Sequence, residues 1–399
     1  MKQNVLDSKS SANYQGFSLV RGGLIYSLTA VFRRKGNPKR DLPNTAIALA
    51  LITWFPLCLL AIYYGTLHDD ETTISFFEDF LVHVRFLIVI PFLILIEKLV
   101  DKTFVEYIKN TDNIIPESQQ QKYNQLVARL GQLSASWIPE IIVLIVYYLA
   151  IIIFPQLLSS EDAGRNYLVK SGSATLNIAG WYNFAICIPI FLLLMFRWGW
   201  RWIIWVYSLI KISRLKLYID PLHADKLVGL DYLNLVPLTI SFILMAPSAT
   251  MSAAIGIDII YNDATFLSYS ESILFYALLS PVILYAPLLF FIPKMINAKR
   301  DGIVQFGSLL RKHNSDYVKK WIGDEPDIDK SILGSLDNSS LADINGSYAP
   351  IDEIKIVPID LKLILLSVIM NLLPYIPLVF TYYSIAELFK MLLKSLAGG

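Results

Sequence analysis

Seven long apolar segments dominate this sequence and restrict what the chain can fold into. Each is close to or above the roughly 20 residues that an α-helix needs to cross a hydrocarbon core about 30 Å thick. The segments are 45–64, 84–100, 138–158, 181–210, 235–258, 272–293 and 362–386. Backbone polar groups inside a bilayer must be satisfied within the protein, and helices do this best. The sequence therefore predicts an all-α, polytopic transmembrane helical bundle with a small cytoplasmic helical layer.

The composition fits this class and offers little sign of chemistry. The chain is 55% hydrophobic and 17% charged, whereas soluble domains carry about 25% charged residues. The net charge of +1 gives no indication of a nucleic-acid partner. Cys58 and Cys187 lie in apolar segments and are predicted to be buried thiols. Since no zinc-type spacing and no nucleotide-binding motif occurs, we expect no metal and no cofactor, and an enzyme is the less favoured class.

The distribution of basic residues predicts the orientation. Lys and Arg cluster before the first segment, after the fourth and after the sixth. Loops 65–83 and 259–271 contain Asp and Glu but no Lys or Arg. Because basic flanks stay cytoplasmic, the N-terminus is predicted to be cytoplasmic and, with seven crossings, the C-terminus outside. Pro374 and Pro377 interrupt the last segment, so six crossings with a re-entrant C-terminal hairpin remain the alternative.

Four regions follow from this topology. Residues 1–44 form a cytoplasmic segment, 45–293 hold six crossings, 294–361 form a second cytoplasmic segment, and 362–399 hold the last crossing and a tail. Residues 14–32 are predicted to form an interfacial amphipathic helix. The residues after it are Arg33, Arg34 and Lys35, which we expect to face anionic lipid, although a simple basic flank of the first crossing explains them equally well. A homo-oligomer is left open.

The cytoplasmic segments are expected to pack on one another. Loop 101–137 contains an amphipathic stretch whose apolar face holds Tyr123, Leu126, Val127, Leu130 and Leu133. About 68 residues in 294–361 bury too little surface to fold alone. We therefore expect that segment to dock against loops 101–137 and 211–234.

Arg197 and Arg201 are the clearest candidates for a functional site. They are four residues apart, so they share one helix face, and they lie among tryptophans inside segment 181–210. Charged groups within a membrane are costly and are functional candidates by default, here for an anion or a lipid headgroup. In the alternative interpretation, the crossing ends near Arg197 and these side chains form an interfacial anchor belt.

Two acidic residues are candidate partners for the arginines. Glu97 and Glu140 lie near the cytoplasmic ends of the second and third crossings, where either can pair with Arg197 or Arg201. We favour a salt bridge that tethers helices over a proton relay. A relay needs ionisable groups spread through the membrane depth, and we expect the core of these helices to lack them.

Two further stretches are weaker candidates. Pro247 and Ser248 lie in a small, hydroxyl-rich part of the fifth crossing, suited to close helix contact or to the wall of a pore. Asp220, His223 and Asp225 cluster in the loop before that crossing. They match a divalent-cation or acid–base site, but ordinary capping of turns explains them as well.

Three stretches resemble a group of bacterial polytopic inner-membrane proteins of unassigned function. The first stretch contains Arg197-Trp-Gly-Trp-Arg-Trp202, Pro221-Leu-His-Ala-Asp225 and Gly229–Leu233. The second contains Gly334–Asp337 and Ser340-Leu-Ala-Asp343. The third is Leu373-Pro-Tyr-Ile-Pro-Leu378. The resemblance implies a shared architecture and location and brings no activity with it. Ala224 and Lys226-Leu-Val228 depart from the proline and the glycine-rich residues of the group's pattern, which weakens any role of that loop in close backbone approach to a ligand.

Three functions are compatible with these sequence features. The first is a channel-like or transporter-like passage for an ion or small solute, based on the arginine pair, the prolines inside crossings and the hydroxyl-rich fifth crossing. The second is a membrane sensor, scaffold or effector that recruits a partner through its cytoplasmic layer. The third is a lipid-acting enzyme that uses the His223 loop.

Overall fold

The computed structural model describes residues 18, 22–29, 38–68, 73–154, 164–170, 175–322 and 336–382. Within these residues the regular structure is almost entirely helical, and the only strand-like pairings are two isolated bridges, Ile74 with Arg165 and Val169 with Leu176. We number the helical elements α1 to α10. Their bounds are Leu24–Leu28 (α1), Pro38–Tyr64 (α2), Phe80–Asn113 (α3), Glu117–Ala135 (α4), Ile138–Ile153 (α5), Ile178–Ser213 (α6), Asp231–Tyr261 (α7), Phe266–Trp321 (α8), Leu336–Asp352 (α9) and Leu361–Phe380 (α10).

Seven of the described helical segments are long and apolar enough to cross a membrane. These are α2, α3, the α4–α5 pair, α6, α7, α8 and α10, so each predicted crossing has its helix. The all-α polytopic bundle is therefore confirmed. The third crossing is shorter than predicted, because its helix ends at Ile153.

Several crossings continue well beyond their apolar part, all at the same end of the bundle. Residues 97–113 of α3 form a polar helix about 25 Å long, at 1.5 Å per residue. α4 runs back along it, and the Tyr123 hydroxyl donates to the Ile108 carbonyl at 2.6 Å. We call residues 102–135, 202–234, 292–321 and 336–360 the extramembrane layer. It is a thick continuation of the bundle rather than a set of short loops.

The extramembrane layer packs largely as the sequence predicts. Tyr123, Leu126, Val127 and Leu130 of α4 are buried. The segment after 294 docks on the loop 211–234: Lys294 Nζ donates to the Leu215 carbonyl at 2.5 Å, and the Lys355 amide donates to the Lys226 carbonyl at 3.0 Å. That loop in turn contacts 101–137, because the Tyr218 amide donates to the Ile114 carbonyl at 2.7 Å.

Prolines mark local changes of helix type inside the crossings. Pro91 and Pro189 each follow a π-helical stretch, at Val84–Val89 and Asn183–Cys187. Proline lacks an amide hydrogen and crowds the preceding turn, so a wider turn before it relieves the clash. Pro374 lies in a 3-10 turn of α10. These three prolines therefore mark changes of helix pitch rather than unwound segments, whereas Pro56 and Pro281 lie inside regular α-helix.

The N-terminal segment departs from its prediction. Gly22 and Gly23 have φ angles of 125° and 88°, which L-residues with side chains rarely adopt. The helix therefore begins only at Leu24, and it is five residues long rather than a continuous helix over 14–32. Arg33, Arg34 and Lys35 lie outside the described residues, so their predicted contact with anionic lipid stays a prediction.

Candidate functional site

The two arginines and two glutamates singled out in the sequence come together inside the bundle. Arg197 Nη1 lies 2.6 Å from Glu97 Oε1, and Arg197 Nε lies 4.0 Å from Glu140 Oε1. All three side chains are at most 6% exposed, and Arg201 is buried too. Glu97 comes from α3, Glu140 from α5 and both arginines from α6, so the cluster joins three crossings. We call these four residues the arginine cluster.

Aromatic and acidic neighbours complete the arginine cluster. The Arg201 guanidinium lies 4.8 Å from the centre of the Trp198 ring, within cation–π range. Asp101, one turn beyond Glu97 on α3, adds a third carboxylate that interacts electrostatically with Arg201. Buried charges are tolerated when they are paired and hydrogen-bonded. The interfacial anchor belt is not what the structure shows, because both guanidinium groups face the interior of the bundle.

Residues 22–29, which we call the N-terminal cover, lie over the arginine cluster. The Glu140 carboxylate accepts hydrogen bonds from the amides of Leu24 and Ile25, so it caps the first turn of α1. The Gly23 amide donates to the Ala135 carbonyl at 3.3 Å. The Gly22 carbonyl accepts a long hydrogen bond of 3.5 Å from Arg197 Nη2. Glu140 thus connects the cover to the guanidinium groups.

The two glycines permit this close approach. A Cβ atom at Gly23 would lie 2.5 Å from Glu140 Oε1, and one at Gly22 would lie 2.5 Å from Ala135 Cα. A side chain at Gly22 would clash with the backbone of Ala135, and one at Gly23 would push the Glu140 carboxylate away from the amides that it caps. The sequence reading missed this pair, although adjacent glycines inside a predicted helix were a visible signal.

Two more ionisable groups lie in the first two turns of α3, at the end of the bundle opposite the arginine cluster. His83 Nδ1 accepts from Trp54 Nε1 at 2.9 Å, and the Arg85 guanidinium lies 5.1 Å from the centre of the Phe191 ring. Arg85 falls inside the predicted segment 84–100 and was recognisable there. A relay through the depth of the membrane nevertheless lacks support, because the buried face of α3 between Arg85 and Glu97 is apolar: Phe86, Val89, Ile90, Leu93 and Ile94.

A second ion pair closes the opposite end of the bundle. Arg165 Nε lies 2.5 Å from Asp79 Oδ2, and the Tyr167 hydroxyl donates to the same oxygen at 2.7 Å. Asp79 Oδ1 accepts from the Val82 amide and so caps the start of α3. The pair joins loops 73–79 and 164–170. Sequence spacing could not reveal it, because the two residues are 86 positions apart.

Pro247 and Ser248 have a structural explanation. The Leu244 carbonyl, in the break that precedes them, accepts the Ser248 hydroxyl at 2.9 Å and the Tyr276 hydroxyl at 2.9 Å. The same carbonyl also accepts the Ser248 amide at 3.3 Å, so the two hydroxyls add to a backbone hydrogen bond, and the Tyr276 hydroxyl joins α7 to α8 beside Pro247. Small residues of this stretch line an apolar cavity of about 530 Å³ between α3, α7 and α10.

The His223 loop is organised around one carboxylate. Asp225 accepts backbone hydrogen bonds from Leu227, Gly229 and Asp231 at 2.9–3.3 Å, and His223 Nδ1 lies 3.0 Å from its Oδ1. Burial alone raises the pKa of Asp225, but these amide donors outweigh it and hold the pKa below its ordinary value. Asp220 only caps the next turn, through the Leu222 amide.

The backbone of that loop keeps a conformation typical of glycine. Lys226 and Val228 have φ angles of 59° and 55°, at the positions where the resemblance led us to expect glycine. A bulky residue there costs of order 1–3 kcal/mol, and the hydrogen bonds to Asp225 offset this strain. Among the described residues, no group of three or more His, Cys, Asp or Glu side chains is arranged to hold a metal ion.

Comparison with known proteins adds no further constraint. No family model, curated protein or solved structure shows a significant match to this chain. The resemblance to bacterial inner-membrane proteins therefore stays a prediction.

Proposed function

We propose that this membrane protein forms a gated passage for an anion or a small anionic solute, with Arg197 and Arg201 as its binding groups. One observation carries the proposal: two guanidinium groups are buried between crossings, and their cover is a five-residue helix preceded by two glycines. Charged side chains within membrane bundles usually mark ion or solute pathways. A cover held largely by backbone hydrogen bonds is cheaper to displace than a packed membrane helix.

The arginine cluster suggests how such a passage works. The Glu140 carboxylate lies near Arg197 through one oxygen and accepts hydrogen bonds from the amides of Leu24 and Ile25 through the other. When the cover leaves, Glu140 loses these donors, and an incoming anion competes with it for the guanidinium groups. The apolar layer between Arg85 and Glu97 then acts as the second barrier. The described conformation corresponds to the closed state.

Anion flux into proteoliposomes tests the proposal. We expect purified protein to pass chloride or a small carboxylate above the level of empty vesicles, and Arg201→Gln to lower the flux at least tenfold. Arg300→Gln is the matched control, since Arg300 is exposed and lies outside the arginine cluster. The absence of flux for several anions at several membrane potentials would refute the passage.

The cover has its own test. Gly23→Ala places a methyl group against Glu140, so we expect the cover to detach and flux to rise. Gly65→Ala is the control, because Gly65 also has a positive φ angle but has no neighbour within 4 Å of a Cβ. Equal flux in the two variants would show that the cover does not gate the passage.

A partner-recruiting role is the second candidate, and a specific observation favours it. The part of α8 from Ile292 to Trp321 is a 30-residue helix in the extramembrane layer, and it exposes Val304, Leu309 and Val318. Exposed apolar side chains outside the membrane mark interaction surfaces when they cluster. Removal of 300–357 should then abolish co-purification of a stoichiometric partner from native membranes, and the full-length protein purifying alone would argue against this role.

A further inference from the structure

A cavity of about 500 Å³ lies in the extramembrane layer between α4 and the final turns of α6, away from the arginine cluster. Its wall contains three basic side chains, Lys122 and Arg129 from α4 and Lys211 from α6. The amide side chains of Gln125 and Gln132 border the same space. The cavity thus combines three positive charges with additional hydrogen-bond donors.

Two hydrogen bonds fix α4 relative to the end of α6, and so set the positions from which the basic side chains extend. Trp200 Nε1 donates to the Leu133 carbonyl at 3.2 Å, near one end of α4. The Lys216 amide donates to Gln119 Oε1 at 3.3 Å, near the other end. α4 therefore lies alongside the C-terminal half of α6. The cavity is a preformed feature of this helix pair rather than a chance gap between loops.

The protein does not neutralise the three charges itself. No carboxylate lines the cavity, and within the described part of the chain the charged groups of Lys122, Arg129 and Lys211 form no ion pair and no hydrogen bond. Lys211 has only the face of Tyr207, 5.5 Å from the ring centre. Like charges gathered in one concave site repel one another and concentrate anions from solution. This differs from the arginine cluster, where carboxylates balance the arginines.

We infer that this cavity binds the phosphate group of an anionic ligand. An arginine fork matches two phosphate oxygens, and lysines add compact charge. The volume lies in the range of small-molecule sites, about 300–1,000 Å³. The phosphate can belong to a water-soluble ester or to a lipid headgroup, and both present the same chemistry to Arg129 and the lysines.

Calorimetric titration tests the site. The protein is placed in nanodiscs of zwitterionic lipid and titrated with pyrophosphate. We expect saturable one-to-one binding that weakens as salt is raised. The double variant Arg129→Gln with Lys211→Gln should bind at least tenfold more weakly. Lys109→Gln is the control, because Lys109 is an exposed lysine of α3 that does not line the cavity.

A second arm identifies the source of the phosphate. The titration is repeated in nanodiscs that contain phosphatidylglycerol. Unchanged pyrophosphate affinity would assign the site to a soluble phosphate, and competitive loss of affinity in the wild type would assign it to a lipid headgroup. Since the substituted side chains are exposed, the thermal midpoint of each variant should stay that of the wild type, which keeps the comparison valid.

Two results would overturn the inference. One is the lack of saturable binding in either lipid. The other is an equal loss of affinity in Lys109→Gln and the double variant, which would reduce the effect to overall charge. Neither result bears on anion flux through the bundle, so the site and the proposed passage fail independently.

Discussion

At the scale of single residues, the chain places its strongest charges where they hold crossings together. Arg197 pairs with Glu97 across α6 and α3 and approaches Glu140 on α5. Removal of one partner from a buried pair leaves an uncompensated charge, which is far more costly than the net value of the pair. The arginine cluster therefore constrains the fold as well as offering a site for an anion.

Arg197→Ala should destabilise the protein strongly. The variant leaves Glu97 and Glu140 buried with one guanidinium fewer, so we expect the free energy of unfolding to fall by about 3–5 kcal/mol. Thermal unfolding of the detergent-purified protein measures this change. Arg300→Ala, which removes an exposed arginine, should change stability by less than about 0.5 kcal/mol. Similar midpoints for the two variants would contradict a tethering role.

Asp225 predicts a specific dependence of stability on pH. Its folded pKa is lowered, so its contribution to stability is present above the unfolded value, about 3.9, and is lost as pH falls through the folded value. The wild type should therefore lose stability relative to Asp225→Asn as pH falls below about 4. Thermal midpoints of both proteins from pH 7 to pH 3 measure the difference. Parallel curves would show that the carboxylate does not hold the loop.

At the scale of elements, the limits of sequence reasoning are visible in particular residues. The apolar runs predicted every crossing, because length and hydropathy set the requirement for spanning a bilayer. The pairing of Arg165 with Asp79 could not be predicted, since it depends on how two loops far apart in the sequence meet. α9 was equally hidden: its sequence is rich in Asp, Ser and Asn, which favour turns over helices, and tertiary packing on α8 overrides that preference.

Gly302 controls how α9 packs on α8. A Cβ atom there would lie 3.0 Å from both Ile351 Cγ2 and Pro221 Cβ, so a larger side chain separates α9 and the 211–234 loop from α8. We expect Gly302→Val to cost about 1–3 kcal/mol through overpacking. Hydrogen exchange of the α9 amides should speed up accordingly.

Gly307 offers the matched control for that substitution. It lies on the same helix, and a Cβ there would meet Tyr348 only at 3.8 Å, an ordinary contact. Gly302→Val and Gly307→Val change helix propensity equally, so the difference in stability between the two variants measures the cost of overpacking at Gly302. Equal exchange rates in the two variants would show that the contact at Gly302 does not hold α9 in place.

At the scale of the whole molecule, the protein is strongly asymmetric. One end of the bundle carries the extramembrane layer, and the described residues at the other end form short loops closed by the Arg165–Asp79 pair. α5 exposes Ile142, Val146 and Ile152 along its length, as expected for a helix that faces lipid. The arginine cluster lies where the apolar part of α3 gives way to its polar extension. Any passage through the bundle therefore opens into the layer at that level.

The asymmetry predicts which end faces the cytoplasm. Basic residues are concentrated in the extramembrane layer, so the positive-inside rule places that end in the cytoplasm. Cysteines introduced at Tyr218 and Thr265, which are exposed at opposite ends, test this in intact bacterial cells with a membrane-impermeant maleimide. Thr265→Cys should label at once, and Tyr218→Cys only after lysis, with little background because Cys58 and Cys187 are buried. The reverse pattern would invert the orientation.

A tag after Gly399 tests the number of crossings. Seven crossings put the two chain ends on opposite sides, so we expect the tag to be accessible under the same conditions as Thr265→Cys. Accessibility only under the conditions that label Tyr218→Cys would indicate six crossings and a re-entrant α10.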